Sequence, residues 1–261
     1  MLVGASGSVS VCFSEVTTVQ VLGKGTVPMK HLHVGDRVFT GQKYEAVYAF
    51  AHLDKASEAD FLQIQLENGN AVEATASHFL FVDGKPAAVR ADSIKVGDVL
   101  QGTAVTKIDN VRSRGLYAPL TPSGLLTVDG VTASNYISLE KAESHALLGQ
   151  NFHAFSHLAI SPFRLICNNL SSGMCSTYTE AGIPVVLDAA HRSFEWMMEL
   201  PTFFQALAIM AWLLIATVAW TLECFLLAPV ASAVVASLGF FVATNGINMS
   251  LRIIPRKVKI V

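Results

Sequence analysis

The chain has 261 residues, a formal net charge of −2 and a pI of about 6.4. Because 18 Lys and Arg face 20 Asp and Glu, no basic field indicates a nucleic-acid partner. Hydrophobic residues make up 52% of the chain and charged residues only 15%, and most of the apolar excess lies beyond residue 200.

The amino-terminal residues 1–11 lack the basic start and apolar core of a signal peptide. We therefore expect either a fragment of a longer precursor or a very short amino-terminal product. The four cysteines have no C-x-x-C spacing, which argues against a zinc site. Cys167 and Cys175 would be able to form a disulfide in an oxidising compartment, although the sequence does not decide this.

Residues 12–140 read as soluble β structure. Residues 16–21 are mostly β-branched and end at Gly23, which predicts a strand and turn. Alternating apolar residues then run into Asn68-Gly69, a strong hairpin signal, and the return strand leads to residues 75–78. A second turn pair stands at residues 129–130. No segment between residues 12 and 134 has sustained helical periodicity, so this half is predicted to be all-β.

A short motif occurs twice in this half. Val34-Gly35-Asp36 and Val96-Gly97-Asp98 each precede a β-like run. The repeat predicts two similar β subdomains with a site where they meet.

Helical patterns appear after residue 138. His153 and His157 stand four apart and would share a helix face, but no third ligand is placed to complete a metal site, so solvated or capping histidines are the favoured interpretation. Residues 168–182 are rich in Asn, Ser, Gly and Thr and predict a loop. Residues 185–200 alternate at near-helical spacing, which is typical of an amphipathic helix on a membrane surface or against the β domain.

Two apolar segments follow, at residues 203–222 and 225–244, each long enough to cross a bilayer. Glu223 separates them, and Pro229 interrupts the second. A basic tail follows and places the carboxyl terminus in the cytosol by the positive-inside rule. Two full spans would put the β domain there too, whereas one span or a re-entrant pair would leave it outside, and the sequence does not choose between these topologies. The tail carries Arg252, Arg256, Lys257 and Lys259.

Several short motifs follow one another along the chain. They are Cys12-Phe13, Val34-Gly35-Asp36-Arg37-Val38, Thr75-x-x-His78-Phe79-Leu80-Phe81-Val82, Tyr117-Ala118-Pro119-Leu120-Thr121-x-x-Gly124, Ala133-Ser134-Asn135-Tyr136, Ser161-Pro162-Phe163-Arg164 and, more faintly, Gly182-Ile183. In this order they resemble the autoprocessing (Hog) domain of hedgehog proteins, within the Hint superfamily shared with inteins. The resemblance covers residues 12–164, extends weakly to residue 200 and leaves the membrane segments out.

The resemblance implies a mostly β fold, a Hint-type pseudo-twofold β-horseshoe followed by a carboxyl-terminal helical membrane region. It also implies cleavage of the Val11–Cys12 bond. The thiol of Cys12 would attack the carbonyl of Val11 and form a thioester. Thr75 would hydrogen-bond the scissile backbone, and His78 would protonate the departing nitrogen.

In hedgehogs the acyl group then passes to a sterol hydroxyl with the help of an aspartate, which aligns with Asp54. The chain departs from that pattern at Asn135, where hedgehogs have cysteine, and at Val11, where they have glycine. These departures put sterol transfer in doubt and leave water or a membrane lipid as acceptor. The alternative function is a catalytically inactive Hint-fold relic that serves as a membrane-anchored binding or display module. A papain-like protease is disfavoured, because Cys12 lies in β-pattern sequence.

The expected organisation is a cleaved extension at 1–11, a Hint/Hog domain at 12–158, a linker with an amphipathic helix at 159–200, two membrane segments at 201–247 and a basic tail at 248–261. The module's substrate would be its own amino-terminal segment, with a lipid or sterol as a further partner. We expect no cofactor, metal or nucleic acid. The expected location is a membrane, with the secretory pathway or cell surface implied by the resemblance.

Overall fold

A computed structural model describes residues 12–137, 152–170 and 172–227. Val11, the second predicted membrane segment beyond residue 227 and the basic tail lie outside these ranges. The first range is built from β-strands, as the hydrophobic alternation predicts. They are β1 (Thr18–Val21), β2 (Gly25–Pro28), β3 (Arg37–Phe39), β4 (Tyr44–Ala46), β5 (Ala49–Leu66), β6 (Ala71–Ala74), β7 (His78–Leu80), β8 (Val89–Arg90), β9 (Val99–Leu100), β10 (Thr103–Leu120), β11 (Leu125–Val128) and β12 (Val131–Ile137).

The strands form two sheets. One has the order β4-β3-β1-β11-β12-β7-β8, with β2 paired to β1, and the other has the order β6-β5-β10-β9. The second is dominated by the antiparallel pairing of β5 with β10, each 18 residues long, which carries several register shifts. The predicted hairpin at Asn68-Gly69 joins β5 to β6, and Gly69 has the positive φ of 85° that such a turn requires. The mostly β Hint fold is confirmed.

The repeated Val-Gly-Asp motif marks two equivalent corners. The Asp36 carboxylate accepts a hydrogen bond from the His33 N–H, and the Asp98 carboxylate accepts one from the Lys95 N–H. Each corner is preceded by a 3₁₀ turn, Met29–His31 in one half and Ala91–Ser93 in the other. Side chains from both halves form one buried core, which contains Val38, Phe50, Leu80, Leu100 and Val128 among others.

Helices follow the sheets. They are α1 (Phe152–Ala159), α2 (Ser161–Leu165), α3 (Val185–Met198) and α4 (Thr202–Leu227). The predicted amphipathic helix at residues 185–200 is therefore present as α3. The predicted loop at residues 168–182 instead contains part of a π-helical turn, Ile166–Leu170, and a 3₁₀ turn, Ser172–Cys175. A disulfide joins Cys167 to Cys175.

Helix α4 coincides with the first predicted membrane segment but is longer. Its segment Thr202–Leu226 has a mean hydropathy of 2.0, and within the described ranges it is the one helix long and apolar enough to cross a membrane. The helix continues through Glu223, the charged residue that stands between the two predicted membrane segments. The carboxylate is tolerated there because Arg164 of α2 binds both of its oxygens, at 2.9 and 3.0 Å from Nε.

Candidate active site

Hydrogen bonds hold Cys12 and Phe13 against β10 on one side and against Thr75, which follows β6, on the other. Phe13 exchanges hydrogen bonds with Tyr117 of β10, at 2.9 and 3.1 Å. The Thr75 N–H donates to the Cys12 carbonyl at 3.1 Å, and the Cys12 N–H donates to the Thr75 hydroxyl at 3.1 Å. The nitrogen of the predicted scissile bond is therefore in contact with Thr75. The Cys12 residue is fully buried.

The sulfur of Cys12 contacts an imidazole that the sequence did not single out. Its Sγ atom lies 3.2 Å from Nδ1 of His52, which stands near the start of β5. The Nε2 atom of the same ring lies 2.8 Å from the carbonyl oxygen of Ala181. Since a carbonyl can only accept, the His52 proton resides on Nε2 and the lone pair on Nδ1 faces the thiol. Burial lowers the pKa of His52 below 6.5, so the ring is neutral at neutral pH.

His78 packs against Phe13, the residue that follows Cys12. Its ring centroid is 4.1 Å from that of Phe13, and its Nε2–H donates to the Ser134 carbonyl at 2.9 Å. The buried Nδ1 atom has no hydrogen-bond partner among the described residues. Burial lowers the pKa of His78 to about 4. His78 is thus a neutral base whose Nδ1 lone pair is unused, which suits it to carry a proton for a short time.

Asp54 is placed differently from the sequence expectation for a base. It stands two residues from His52 in β5 and is partly exposed. Its carboxylate accepts hydrogen bonds from the backbone N–H groups of Ala56 and Ser57 and from the Ser57 hydroxyl. The bond from the Ser57 hydroxyl is the main reason that the pKa of Asp54 lies below its usual value. The carboxylate is therefore used within its own turn, and a lowered pKa makes it a weaker base.

Asn135 is buried in β12 beside Ser134, and its amide donates to the Thr121 hydroxyl at 2.9 Å. The neighbouring Ser134 hydroxyl bonds to Nδ1 of His153 at 2.8 Å, which brings helix α1 against β12, whose Ser134 carbonyl accepts a hydrogen bond from His78. His153 therefore has a hydrogen-bond partner in the β module. Within the described ranges, no three His, Cys, Asp or Glu side chains converge as ligands for a metal ion.

A second buried polar cluster joins the helices to the sheets. Arg164, only 2% exposed, binds Glu223 of α4 through three hydrogen bonds and also donates to the Tyr136 hydroxyl at 3.3 Å. Its Nη1 further contacts the carbonyl and Nδ1 of His157, at 3.0 and 3.1 Å. The Ser161 hydroxyl donates to the Ala216 carbonyl at 2.6 Å. These contacts fasten the carboxyl-terminal half of α4 to the β module.

Comparison with known proteins follows the same lines. A family model described as "Hint module" matches residues 4–197. The chain belongs to the Hint family. Protein hedgehog of Drosophila sechellia is 29% identical over 180 residues, which cover 62% of this chain and 36% of that protein. Tiggy-winkle hedgehog protein of Danio rerio is 28% identical over 220 residues, covering 74% of this chain and 50% of that protein.

Warthog protein 8 of Caenorhabditis elegans is 28% identical over 171 residues, covering 56% of this chain and 30% of that protein. The matches thus span between about a third and a half of the relatives' own length. Among solved structures, the gp41-1 intein is similar with a TM-score of 0.41 and 18% identity, covering 48% of this chain and 98% of the intein. Through the Hint module and its hedgehog relatives, the chain falls in a family of autoprocessing domains.

Proposed function

We propose that the module cuts its own chain between Val11 and Cys12 through a thioester. The observation that carries the proposal is the setting of Cys12. Its nitrogen is hydrogen-bonded to Thr75, its sulfur is 3.2 Å from Nδ1 of His52, and the residue is withdrawn from water. The Cys12 thiol as nucleophile, His52 as base and the Thr75 hydroxyl bonded to the leaving nitrogen therefore all lie at residue 12.

The first step moves an acyl group from nitrogen to sulfur. Nδ1 of His52 takes the thiol proton, and the thiolate attacks the carbonyl of Val11. The carbon–nitrogen bond then breaks as the carbon–sulfur bond is completed. Nδ1 of His78, which carries no proton at rest, accepts the proton that sulfur released through His52 and passes it to the nitrogen of Cys12. One proton leaves sulfur and one reaches nitrogen, so the step consumes no acid or base overall.

Thr75 acts on the leaving group. Its hydroxyl oxygen accepts the scissile N–H, which holds the Cys12 nitrogen at a fixed place while its bonding changes. Its own N–H binds the Cys12 carbonyl, so the residue that carries both reacting atoms is clamped on two sides. Such clamping fixes the backbone of Cys12, the residue that carries both the sulfur and the leaving nitrogen.

In the second step another nucleophile takes the acyl group. We propose a lipid or sterol hydroxyl, or water, as acceptor. Asp54 remains the residue predicted to assist a hydroxyl, but His52 is the group nearest the sulfur and is therefore the better-placed base. Asn135 supplies no thiol at the position where hedgehogs have cysteine, and its amide is bonded to Thr121. We therefore expect the second step to be slower than the first.

Membrane attachment is part of the proposal. Helix α4 exposes large apolar side chains along most of its length, among them Phe203, Met210, Leu214 and Leu226. These side chains favour a lipid environment over water. Because the same helix is fastened to α2, we propose that the reaction takes place at a membrane surface, in keeping with the membrane and secretory location that the hedgehog relatives suggest.

The test is a folded reporter protein that replaces residues 1–8 of the full chain. Hydroxylamine, which attacks thioesters but not amides, should release the reporter from the wild type and from His33→Ala, whose imidazole is exposed. It should release none from Cys12→Ala, and His52→Ala should be slower by roughly 100- to 10,000-fold.

The alternative, a Hint-fold relic without catalysis, is favoured by one observation. The side chain of Asn135, at the position of the hedgehog cysteine, is engaged with Thr121. The same assay separates the two functions. Equal persistence of the reporter on wild type and Cys12→Ala would reject cleavage and favour the relic.

A further inference from the structure

A small hairpin far along the chain reaches the active site. It consists of residues 177–185, between the Cys167–Cys175 disulfide and helix α3, and we call it the 177–185 hairpin. Val185 N–H donates to the Thr177 carbonyl at 2.9 Å, and Thr179 N–H donates to the Ile183 carbonyl at 2.8 Å. Tyr178 and Pro184 form an antiparallel bridge. With these internal bonds and a disulfide just before it, the hairpin has a defined shape.

The tip of the hairpin lies along β5 at the point where β6 does not cover it. The Leu53 N–H donates to the Gly182 carbonyl at 2.8 Å, and Nε2 of His52 donates to the neighbouring Ala181 carbonyl at 2.8 Å. At the base of the hairpin, the Phe50 N–H approaches the Tyr178 hydroxyl at 3.4 Å. Three residues of β5, namely Phe50, His52 and Leu53, are thus bonded to one short segment.

Gly182 is required for this close approach. Its φ is +76°, a conformation that L side chains rarely adopt. A Cβ atom added there would lie 2.5 Å from the Leu53 carbonyl oxygen and 2.8 Å from its carbonyl carbon. Both atoms belong to the backbone of a paired strand, so the hairpin rather than the strand would have to move. Any side chain at this position should lift the tip away from His52.

The hydrogen bond to the Ala181 carbonyl determines which nitrogen of the His52 ring carries the proton. A neutral imidazole has one N–H and one lone pair, and water alone permits either arrangement. Because the Ala181 carbonyl accepts the Nε2 proton, the lone pair stays on Nδ1, 3.2 Å from the Cys12 sulfur. The other tautomer would present an N–H to the thiol and would not be able to take its proton.

We propose that the 177–185 hairpin is a positioning element that fixes the tautomer and orientation of His52, so that Nδ1 can accept the proton of the Cys12 thiol. The inference rests on the proposed function for its catalytic meaning, whereas the tautomer it assigns does not depend on cleavage. Ala181 and Gly182 are positioning residues, and His52 is the group that touches the reacting atom. The carboxyl-terminal region thereby enters the first step of the reaction.

The kinetic test uses the full chain with the reporter in place of residues 1–8, and hydroxylamine rather than a thiol so that the disulfide stays intact. Gly182→Ala should cleave roughly 100-fold more slowly than wild type, in the range of a lost proton acceptor. The matched control is Gly173→Ala, in the adjoining 3₁₀ turn, where an added Cβ meets nothing within 4 Å. That variant should cleave at the wild-type rate.

A double variant tests whether the hairpin acts through His52. His52→Ala combined with Gly182→Ala should be no slower than His52→Ala alone, because the second change removes support from a side chain that is already absent. A further loss by the same factor as in the single Gly182→Ala variant would overturn the proposal. So would a Gly182→Ala rate equal to that of wild type.

A spectroscopic measurement keeps the proposal separate from the proposed function. Nitrogen-15 chemical shifts of the His52 ring in Cys12→Ala, which does not cleave, should report a proton on Nε2. Adding Gly182→Ala should move the ring toward a mixture of tautomers, and adding Gly173→Ala should not. A proton on Nδ1 without either glycine change would reject the hairpin's role, whatever the cleavage assay gives. Absence of cleavage in wild type with the expected tautomer would reject the function alone.

Discussion

At the scale of single residues, the two imidazoles of the site differ in their surroundings. His52 is partly buried and has partners on both ring nitrogens, whereas His78 is fully buried with Nδ1 unpartnered among the described residues. Burial lowers the pKa of both, and that of His78 to about 4. Both rings are therefore neutral at neutral pH, which is the protonation state the first step needs.

The buried His78 should make the fold sensitive to acid. Its pKa is about 4 in the native state and 6.5 in an unfolded chain, so between these values the unfolded chain binds a proton that the native chain does not. Stability should be unaffected above pH 6.5 and should fall as the pH drops toward 4, by about 3 kcal/mol in total. Urea unfolding of Cys12→Ala at several pH values measures this loss.

The control for that experiment is Cys12→Ala with His78→Gln, which keeps an amide donor for the Ser134 carbonyl but has no titrating group. Its stability should lose about 3 kcal/mol less on acidification than that of the parent. Other buried histidines, such as His157 with a pKa of about 3, are unchanged between the two proteins and cancel. Equal acid sensitivity of the two proteins would show that His78 is not the group responsible.

The sequence identified some site residues and missed one, for a physical reason. Cys12, Thr75 and His78 are predictable as candidates because they stand in local motifs. His52 and Asp54 are two residues apart in β5, so strand alternation puts them on the same face and does not choose between them. The choice depends on the Ala181 carbonyl, about 130 residues further along the chain, and no local pattern reports such a contact.

At the scale of elements, the β half was more predictable than the helical half. The Asn68-Gly69 turn and the paired Val-Gly-Asp corners need a positive φ, which glycine adopts readily. The glycines in the sequence therefore predict where these turns lie. The continuation of α4 through Glu223 was not predictable, because it depends on the guanidinium of Arg164 in another helix. From the sequence alone, a charged residue inside an apolar segment is interpreted as the end of a helix, because the residue that neutralises its charge is not known.

The ion pair between α2 and α4 should behave as a buried pair does. Glu223→Gln leaves the guanidinium of Arg164 buried without its counter-charge and should destabilise the docking of α4 by about 3 to 5 kcal/mol. Replacing both partners, as in Arg164→Met with Glu223→Leu, should restore most of that loss. Limited proteolysis of α4 in detergent micelles measures the docking, and an unaltered cleavage rate in Glu223→Gln would contradict the expectation.

At the scale of the whole molecule, the Hint module is fastened to an apolar helix by the buried cluster around Arg164. Ala216, Ala219 and Glu223 are the buried positions of α4, and they lie along one face against α2. The remaining faces expose apolar side chains. The module and the helix therefore form one unit, in which the helix is offered to lipid on the sides that the module leaves uncovered.

This arrangement predicts how truncation should act. A chain that ends at residue 227 keeps α4 and should float with phosphatidylcholine vesicles, whereas one that ends at residue 201 should remain in the soluble fraction. The shorter chain should also be less stable, because Arg164 loses its counter-charge, and Arg164→Met should recover part of that stability. Equal flotation of both chains would assign membrane binding to another part of the molecule.

The hydrogen bond between the Cys12 nitrogen and Thr75 has one further consequence. In the proposed reaction that nitrogen becomes a primary amine when the peptide bond opens, at a residue that is buried from water and bonded to Thr75. An exposed α-amine has a pKa of about 7.7 to 8, and burial lowers it, so the amine stays uncharged and able to attack. The freed amine of Cys12 therefore competes with the external acceptor for the acyl group. Cleavage is completed only when the acceptor reacts with the thioester before this amine re-forms the peptide bond.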